Sequence, residues 1–274
     1  MLVLGSETHK KYSAFKKIFV IGAPRSGTTL LHALCCTSPK ANDYVSECSF
    51  FTGLVRNYVQ SLNNLKVHNT DFFGSEEAFK TYNINLFKQF LVDTWESLGN
   101  PEILVLKDPQ MTARMVEVLQ LLQDPLFVVS VRNPQDTLKS RLKVIQKSSG
   151  ALPANLVQGV IQEYVGFYTL SLRVAELHRA KVKFCCYETL LNLADKNKLA
   201  AALGLGEFNE DDLWKPARQN ARHFQDKNNP WISEKYGGAI SAEKRNEEID
   251  ISALAPALGP AVSLYEQAKA KSLI

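Results

Sequence analysis

The sequence predicts an α/β protein: three layers, α/β/α, around a central parallel sheet of about five strands. Three observations carry that expectation. Short apolar runs recur along the chain, and segments with apolar residues at three- and four-residue spacing separate them. The first run leads directly into a glycine-rich turn and a helix, "IFVIGAPRSGTTLLHAL" at residues 18–34. Strands that alternate with helices need right-handed crossovers, which lay helices over both faces of a parallel sheet.

In chain order, residues 18–21 read as a buried strand, and Leu30, Leu31 and Leu34 mark one face of the helix that follows. "NDYVS" at residues 42–46 is a shorter strand candidate. "FKTYNINLFKQFLVDTWESL" has helical periodicity and leads into the strand "EILVL" at residues 102–106. "MTARMVEVLQLLQ" is the next helix, before "PLFVVSV" at residues 125–131. The long helical stretch "NLVQGVIQEYVGFYTLSLRVAELHRA" precedes "KVKFCCY" at residues 181–187. Residues 219–248 are polar, with Asn-Pro and Gly-Gly punctuation, and read as a long ordered loop that Trp231, Ile232 and Tyr236 help to pack. A helix over about residues 254–271 closes the chain. No repeat or low-complexity linker divides it, so one domain is expected over residues 1–274, with a helical insertion at about 47–100.

Bulk composition excludes several functions. Apolar content of 45% and charged content of 22% are those of an ordinary globular chain. A net charge of +4, from 32 basic and 28 acidic residues, suits small anionic ligands and makes no case for nucleic acid. No apolar stretch approaches the ~20 residues that span a bilayer. The opening "MLVLGSETHKKYSAFKK" turns polar too early for a secretory signal, so a cytoplasmic location is expected. Cys35, Cys36, Cys48, Cys185 and Cys186 match neither a zinc spacing nor a disulfide framework. They read as reduced, mostly buried thiols, and no metal site is expected.

The turn after the first strand spells G-x-x-x-x-G-T-T from Gly22 to Thr29, with Thr28 where a nucleotide kinase carries Lys. Its backbone N–H groups and the following helix N-terminus form an anion nest. Thr28 and Thr29 add hydroxyls and Arg25 adds a permanent charge. Such a loop is poorly suited to the β- and γ-phosphates of ATP, yet it can grip one compact anion.

After "PLFVVSV" comes "RNPQDTLKSR". Asn133 as N-cap, Pro134 at the first helical position and Asp136 near the third make a strong helix start. Arg132 stands at the strand end, and Ser140 lies about two turns into the helix. A guanidinium fork and a hydroxyl can share one phosphate monoester. The two sites together suggest a nucleotide with anions at both ends.

These motifs resemble those of sulfotransferases that use 3′-phosphoadenosine 5′-phosphosulfate (PAPS), whose core is P-loop NTPase-like. "GAPRSGTT" is similar to their 5′-phosphosulfate loop and "RNPQDTLKS" to their 3′-phosphate motif. A later strand ends in Tyr187-Glu188, as theirs does, and "APALGPAVSLYEQ" is similar to the C-terminal helix of bacterial members. The resemblance implies PAPS as donor and Arg25 as contact to the transferring sulfuryl group. Ser26, Gly27, Thr28 and Thr29 would hold the 5′-phosphate, Arg132 and Ser140 the 3′-phosphate, and Tyr187 would lie near the adenine.

The acceptor base departs from part of the family. Members acting on phenols and steroids carry Lys-x-His at a strand end, whereas "LVLKDP" keeps Lys107 and places Pro109 where the His would be. "KVH" at residues 66–68 imitates that pattern without a preceding strand, so His68 reads as a surface residue. His32 and His178 fall on helices and read as structural, and His223 in the late loop is the alternative base. Protein-tyrosine sulfotransferases carry a catalytic Glu after their loop and helix, and a Lys-Asp-Pro. The resemblance therefore implies Glu47, in "YVSECSFF", as base and Lys107 as a second cation. Glu47 could instead be a first-turn carboxylate behind an N-cap Ser46, and Asp108 would cap the helix that Pro109 opens. The expected activity is in-line transfer from PAPS to a hydroxyl or amine of a small molecule, such as a natural product. Its pocket would be built from residues 50–98 and 219–248. A P-loop kinase of a small metabolite and a non-catalytic nucleotide-binding module are the other readings.

Overall fold

The structure, a computed structural model, describes residues 6–150, 152–190, 193–214 and 249–274. Its strands are β1 (Lys16–Gly22), β2 (Ile103–Lys107), β3 (Pro125–Val131) and β4 (Val182–Cys186). They form one parallel sheet in the order β2-β1-β3-β4. The helices are α1 (Ser6–Ser13), α2 (Thr28–Cys35), α3 (Ser49–Asn63), α4 (Thr70–Phe73), α5 (Glu76–Ser97) and α6 (Met115–Leu121). They continue with α7 (Pro134–Ser149), α8 (Ala154–Leu177), α9 (Tyr187–Leu190), α10 (Leu193–Leu203) and α11 (Gly259–Ala270).

Side chains alternate across a strand, so β1 feeds two cores. Ile18 and Val20 join Leu31, Leu34, Leu199 and Leu203 on the face covered by α2 and α10. Phe19 and Ile21 join residues of α3, α5, α6, α7, α8 and α11 on the other. Phe51 of α3 stacks on Phe19, with ring centroids 5.6 Å apart, which seats the helical region between α2 and β2 on the sheet. Because both faces are covered, β2 is buried at every position and reads as a continuous apolar run up to Lys107.

The expected strand at residues 42–46 does not form, and among the described residues the sheet has four strands rather than about five. Ala41 makes one isolated parallel bridge to Ile103. Asn42 then uses its side chain as a substitute neighbour: its Oδ1 accepts from Val105 N at 2.6 Å and its Nδ2 donates to Val105 O at 3.1 Å. One amide thus satisfies both outward ladder groups of Val105, and the backbone of the following residues stays off the ladder. At the opposite edge the backbone itself does this, with Leu273 N donating to Phe184 O at 2.9 Å.

The closing helix is also shorter than its pattern suggested. Residues Ser252–Leu258 wind as a 3-10 helix around Pro256, and α11 begins only at Gly259, with Pro260 in its first turn. Residues 219–248, and with them His223, Trp231, Ile232 and Tyr236, lie outside the described residues. His68 is exposed, in a π-helical turn at Leu65–Asn69 rather than a loop. All five cysteines are free, and four are buried.

Candidate active site

The registers align the C-terminal ends of the four strands: Val20 pairs with Lys107, Gly22 with Ser130, and Val131 with Cys186. The residues that follow those ends therefore meet along one edge of the sheet, where open parallel α/β sheets bind ligands. β1 ends at Gly22, whose φ of +136° and whose distance of 2.5 Å from an imagined Cβ to Ser130 O leave room only for glycine. The loop then turns, with Ser26 N donating to Ala23 O at 3.0 Å and Ser26 O accepting from Ser130 Oγ at 2.8 Å. Gly27 is the N-cap of α2 and brings no side-chain cap, so the positive end of that helix opens onto the loop.

Arg25 occupies the left-handed region at φ +72°, which costs a non-glycine residue roughly 1 kcal/mol. The side chain it presents donates from Nε to Ser140 Oγ at 3.2 Å, joining the loop to α7. Arg132 donates from Nη1 to Arg25 O at 3.3 Å, and its guanidinium lies 4.7 Å over the Tyr187 ring. The same ring covers Gly27: a Cβ there would sit 2.2 Å from Tyr187 Cδ2. Arg25, Gly27, Arg132, Ser140 and Tyr187, expected at one nucleotide site, are thus brought together. The start of α7 is as expected, with Asn133 Oδ1 accepting from Gln135 N at 2.9 Å and Pro134 at the first position. Sequence reasoning noted Glu188 at a strand end but gave it no role; its Oε1 accepts from Asn133 N at 2.9 Å and ties the end of β4 to α7.

A second group lies at the end of β2. Lys107 is only 3% exposed, and its Nζ lies 2.8 Å from Glu47 Oε1 and donates to Thr29 Oγ1 at 3.2 Å. Cys48 N donates to Lys107 O at 2.9 Å, which fixes the segment carrying Glu47. The first-turn alternative for Glu47 does not hold. α3 starts at Ser49 with Cys48 as N-cap, so Glu47 precedes the helix, and Ser46 does not cap it. Glu47 is 50% exposed and sits on the buried amine, open to solvent on its other side. Asp108 caps the 3-10 turn Pro109–Arg114, accepting from Gln110 N at 2.9 Å. Burial raises its carboxyl above the ordinary range, against the hydrogen bond from Gln110 N that pulls it down.

His32 is structural, as its helical position suggested. It is fully buried with its Nε2–H 3.2 Å from Val105 O, and burial with the charge of Lys107 pushes it down to about 3. His178 ends α8 as its C-cap. Arg141, one residue beyond Ser140, went unread in the sequence. Its Nη2 lies 3.6 Å from Glu163 Oε2, and Glu163 Oε1 accepts from Gln110 Nε2 at 3.0 Å. Burial lowers the Arg141 guanidinium below its ordinary value; Glu163 and Glu47 oppose that shift, and Arg25 adds to it. Only the position next to Ser140 could have drawn notice to it.

Among the described residues, no helix is long and apolar enough to cross a membrane. No curated protein matches the chain. Among solved structures it is similar to the sulfotransferase domain from the curacin biosynthetic pathway, with a TM-score of 0.62 and 16% identity over 92% of this chain and 97% of that one. It is also similar to the sulfotransferase domain of the Synechococcus PCC 7002 olefin synthase, with a TM-score of 0.53 and 14% identity over 92% and 94% of the two chains. At such identities the likeness concerns the fold, a P-loop-like α/β core. The model of the sulfotransferase family matches residues 17–192, from the start of β1 to beyond Tyr187. That span is more than half of the 274 residues, and the chain belongs to the sulfotransferase family.

Proposed function

We propose that the chain transfers a sulfuryl group from PAPS to a hydroxyl or amine of a small-molecule acceptor, with Glu47 as the general base. One observation carries this reading. The buried Lys107 amine touches both the Glu47 carboxylate and the Thr29 hydroxyl on the first turn of α2, so a base and an anion cradle share one cation. The residues present fit a nucleotide with two anionic ends. Arg132 lies over the Tyr187 ring with a buried Nε without a partner, and its Nη1 donates to the carbonyl of Arg25, whose own Nε meets Ser140. At the other end, the uncapped helix start at Gly27 suits a second anion.

PAPS, when bound, supplies an activated sulfuryl group whose bond to the 5′-phosphate oxygen breaks as the acceptor oxygen or nitrogen attacks sulfur. Ser26, Gly27, Thr28 and Thr29 would hold the 5′-phosphate, and Arg132 and Ser140 the 3′-phosphate. The Glu47 carboxylate, half exposed beside the Lys107 amine, would take the acceptor proton. Arg25 and Lys107 would stabilise charge on the sulfuryl and bridging oxygens. A sulfuryl group carries less negative charge than a phosphoryl group, so side-chain cations can serve where kinases use Mg²⁺.

Titration calorimetry with adenosine 3′,5′-bisphosphate and with ATP–Mg²⁺ tests the reading. With Thr28 in place of the kinase Lys, the bisphosphate is expected to bind tighter without metal. Tighter binding of ATP–Mg²⁺ would sink it.

A further inference from the structure

The peptide between Arg132 and Asn133 is held at both ends. Its carbonyl, Arg132 O, accepts from the Tyr164 hydroxyl at 2.8 Å, and its N–H, on Asn133, donates to Glu188 Oε1 at 2.9 Å. A peptide unit is planar, so bonds on its two opposite edges fix how the plane is turned. That plane starts at the Cα that carries the Arg132 side chain, and its turn therefore sets where the guanidinium can reach.

The two holders differ in kind. Tyr164 is buried on α8, four residues before Tyr168, whose hydroxyl donates to Ser130 O at 2.7 Å. Four residues of helix rise about 6 Å and two of strand about 6.6 Å, so α8 meets alternate carbonyls at the end of β3. These bonds belong to the core. Glu188 is exposed, and water could satisfy Asn133 N in its place. Its other oxygen accepts from Cys186 Sγ at 3.0 Å, which braces the carboxylate against the end of β4. The fold thus has little need of Glu188, but the site does. Arg132, joined to the loop through Arg25 O and lying over the Tyr187 ring, keeps a buried Nε without a partner. By charge alone, a carboxylate in this place repels the phosphate that the guanidinium would bind.

We propose that Glu188 is a positioning residue of the donor site: its bond to Asn133 N turns the Arg132 peptide so that the guanidinium meets the 3′-phosphate. The inference rests on the sulfuryl-transfer reading and adds a residue to its donor end. Charge and geometry predict opposite effects of removing Glu188, which makes the role measurable.

The test is titration calorimetry of the full chain with adenosine 3′,5′-bisphosphate and with adenosine 5′-phosphosulfate. Glu188→Ala removes the bond together with the repulsive charge, and bisphosphate affinity is expected to fall about tenfold, the worth of one hydrogen bond. Affinity for the phosphosulfate, which lacks the 3′-phosphate, should change little. Glu188→Gln keeps an oxygen for Asn133 N and drops the charge, so its bisphosphate affinity should equal or exceed that of the wild type. In an Arg132→Ala background, Glu188→Ala should lower bisphosphate affinity no further, a coupling that a purely structural residue would not show. Circular dichroism checks folding, and Glu188→Ser, too short for the same bond, stands in if Glu188→Ala does not fold. Unchanged or tighter bisphosphate binding by Glu188→Ala overturns the proposal, as do equal losses for the two nucleotides. So does a Gln variant as weak as the Ala variant, or a loss that persists without Arg132. A wild type that fails to bind the bisphosphate overturns the sulfuryl-transfer reading instead, so the two failures are distinguishable.

Discussion

On the loop side of the site, two guanidinium groups converge on hydroxyl, carbonyl and ring partners. Arg25 meets Ser140 at 3.2 Å, and Arg132 meets Arg25 O at 3.3 Å and the Tyr187 ring at 4.7 Å. On the β2 side the cation faces a carboxylate: Lys107 meets Glu47 at 2.8 Å. The first region sets two guanidinium groups next to a helix N-terminus, the electrostatics of a place that receives an anion. The second sets a buried cation against a half-exposed carboxylate, which keeps that carboxylate ionised until a proton is offered to it. Binding and proton transfer are thus divided between two ends of one sheet edge, with Thr29 and Lys107 as the seam.

The sharpest break in that division is Glu47→Gln. It keeps size and some hydrogen bonding but cannot accept a proton, so single-turnover transfer should fall roughly 10²–10⁴-fold while bisphosphate affinity barely changes. Single-turnover rates avoid masking by slow product release. An intact rate in the variant would move the base elsewhere, with His223 next in line.

Arg132→Ala should act on the opposite region alone. Loss of a charge-assisted bidentate contact costs about 2–4 kcal/mol of bisphosphate binding, with little effect on adenosine 5′-phosphosulfate, which lacks the 3′-phosphate. Equal calorimetric losses for both ligands would mean that Arg132 holds the fold instead.

Gly27→Ala should cost about 2–3 kcal/mol of folding stability, because it combines a clash with Tyr187 and a left-handed φ of +97°. Adding Tyr187→Ala should relieve the steric share and leave the backbone share. Additive losses in urea melts would show that the ring does not press on the loop.

His32, buried on α2 against Val105 of β2 and within the field of Lys107, provides a pH signature. Its folded value near 3 is below its ordinary one, so the unfolded chain takes up a proton that the folded chain refuses. The stability it contributes is fully present above about pH 6.5 and is lost as the pH falls toward 3, at up to ~1.4 kcal/mol per pH unit. Urea midpoints of His32→Gln should fall less steeply than wild type between those limits, and an unchanged slope would contradict the assignment. The smallest effect belongs to Ser140→Ala, about 1 kcal/mol of bisphosphate binding by the same calorimetry.

Much of this architecture was legible because its signals are local. Gly22 and Gly27 mark backbone that no side chain tolerates, and Asn133-Pro134 starts a helix whatever surrounds it. The runs that became β1 to β4 are too apolar to lie anywhere but the sheet interior. The expected strand at residues 42–46 misled because period and composition cannot show that the Asn42 side chain would take the place of a backbone neighbour on β2. Glu188 and Arg141 were passed over for a related reason. Their partners, Asn133 and Glu163, lie at positions that no sequence spacing connects to them.

By itself the sequence determined where anions can be gripped, since a glycine turn, a helix start and an arginine at a strand end carry their chemistry in neighbouring residues. Only the tertiary structure decided which charges meet. The parallel register put Lys107 beside Val20, and so beside Thr29 at the start of the next helix, while the extended segment after Asn42 delivered Glu47 to the same amine. Coulomb energy depends on distance and on the water excluded between charges, and both are properties of the folded chain.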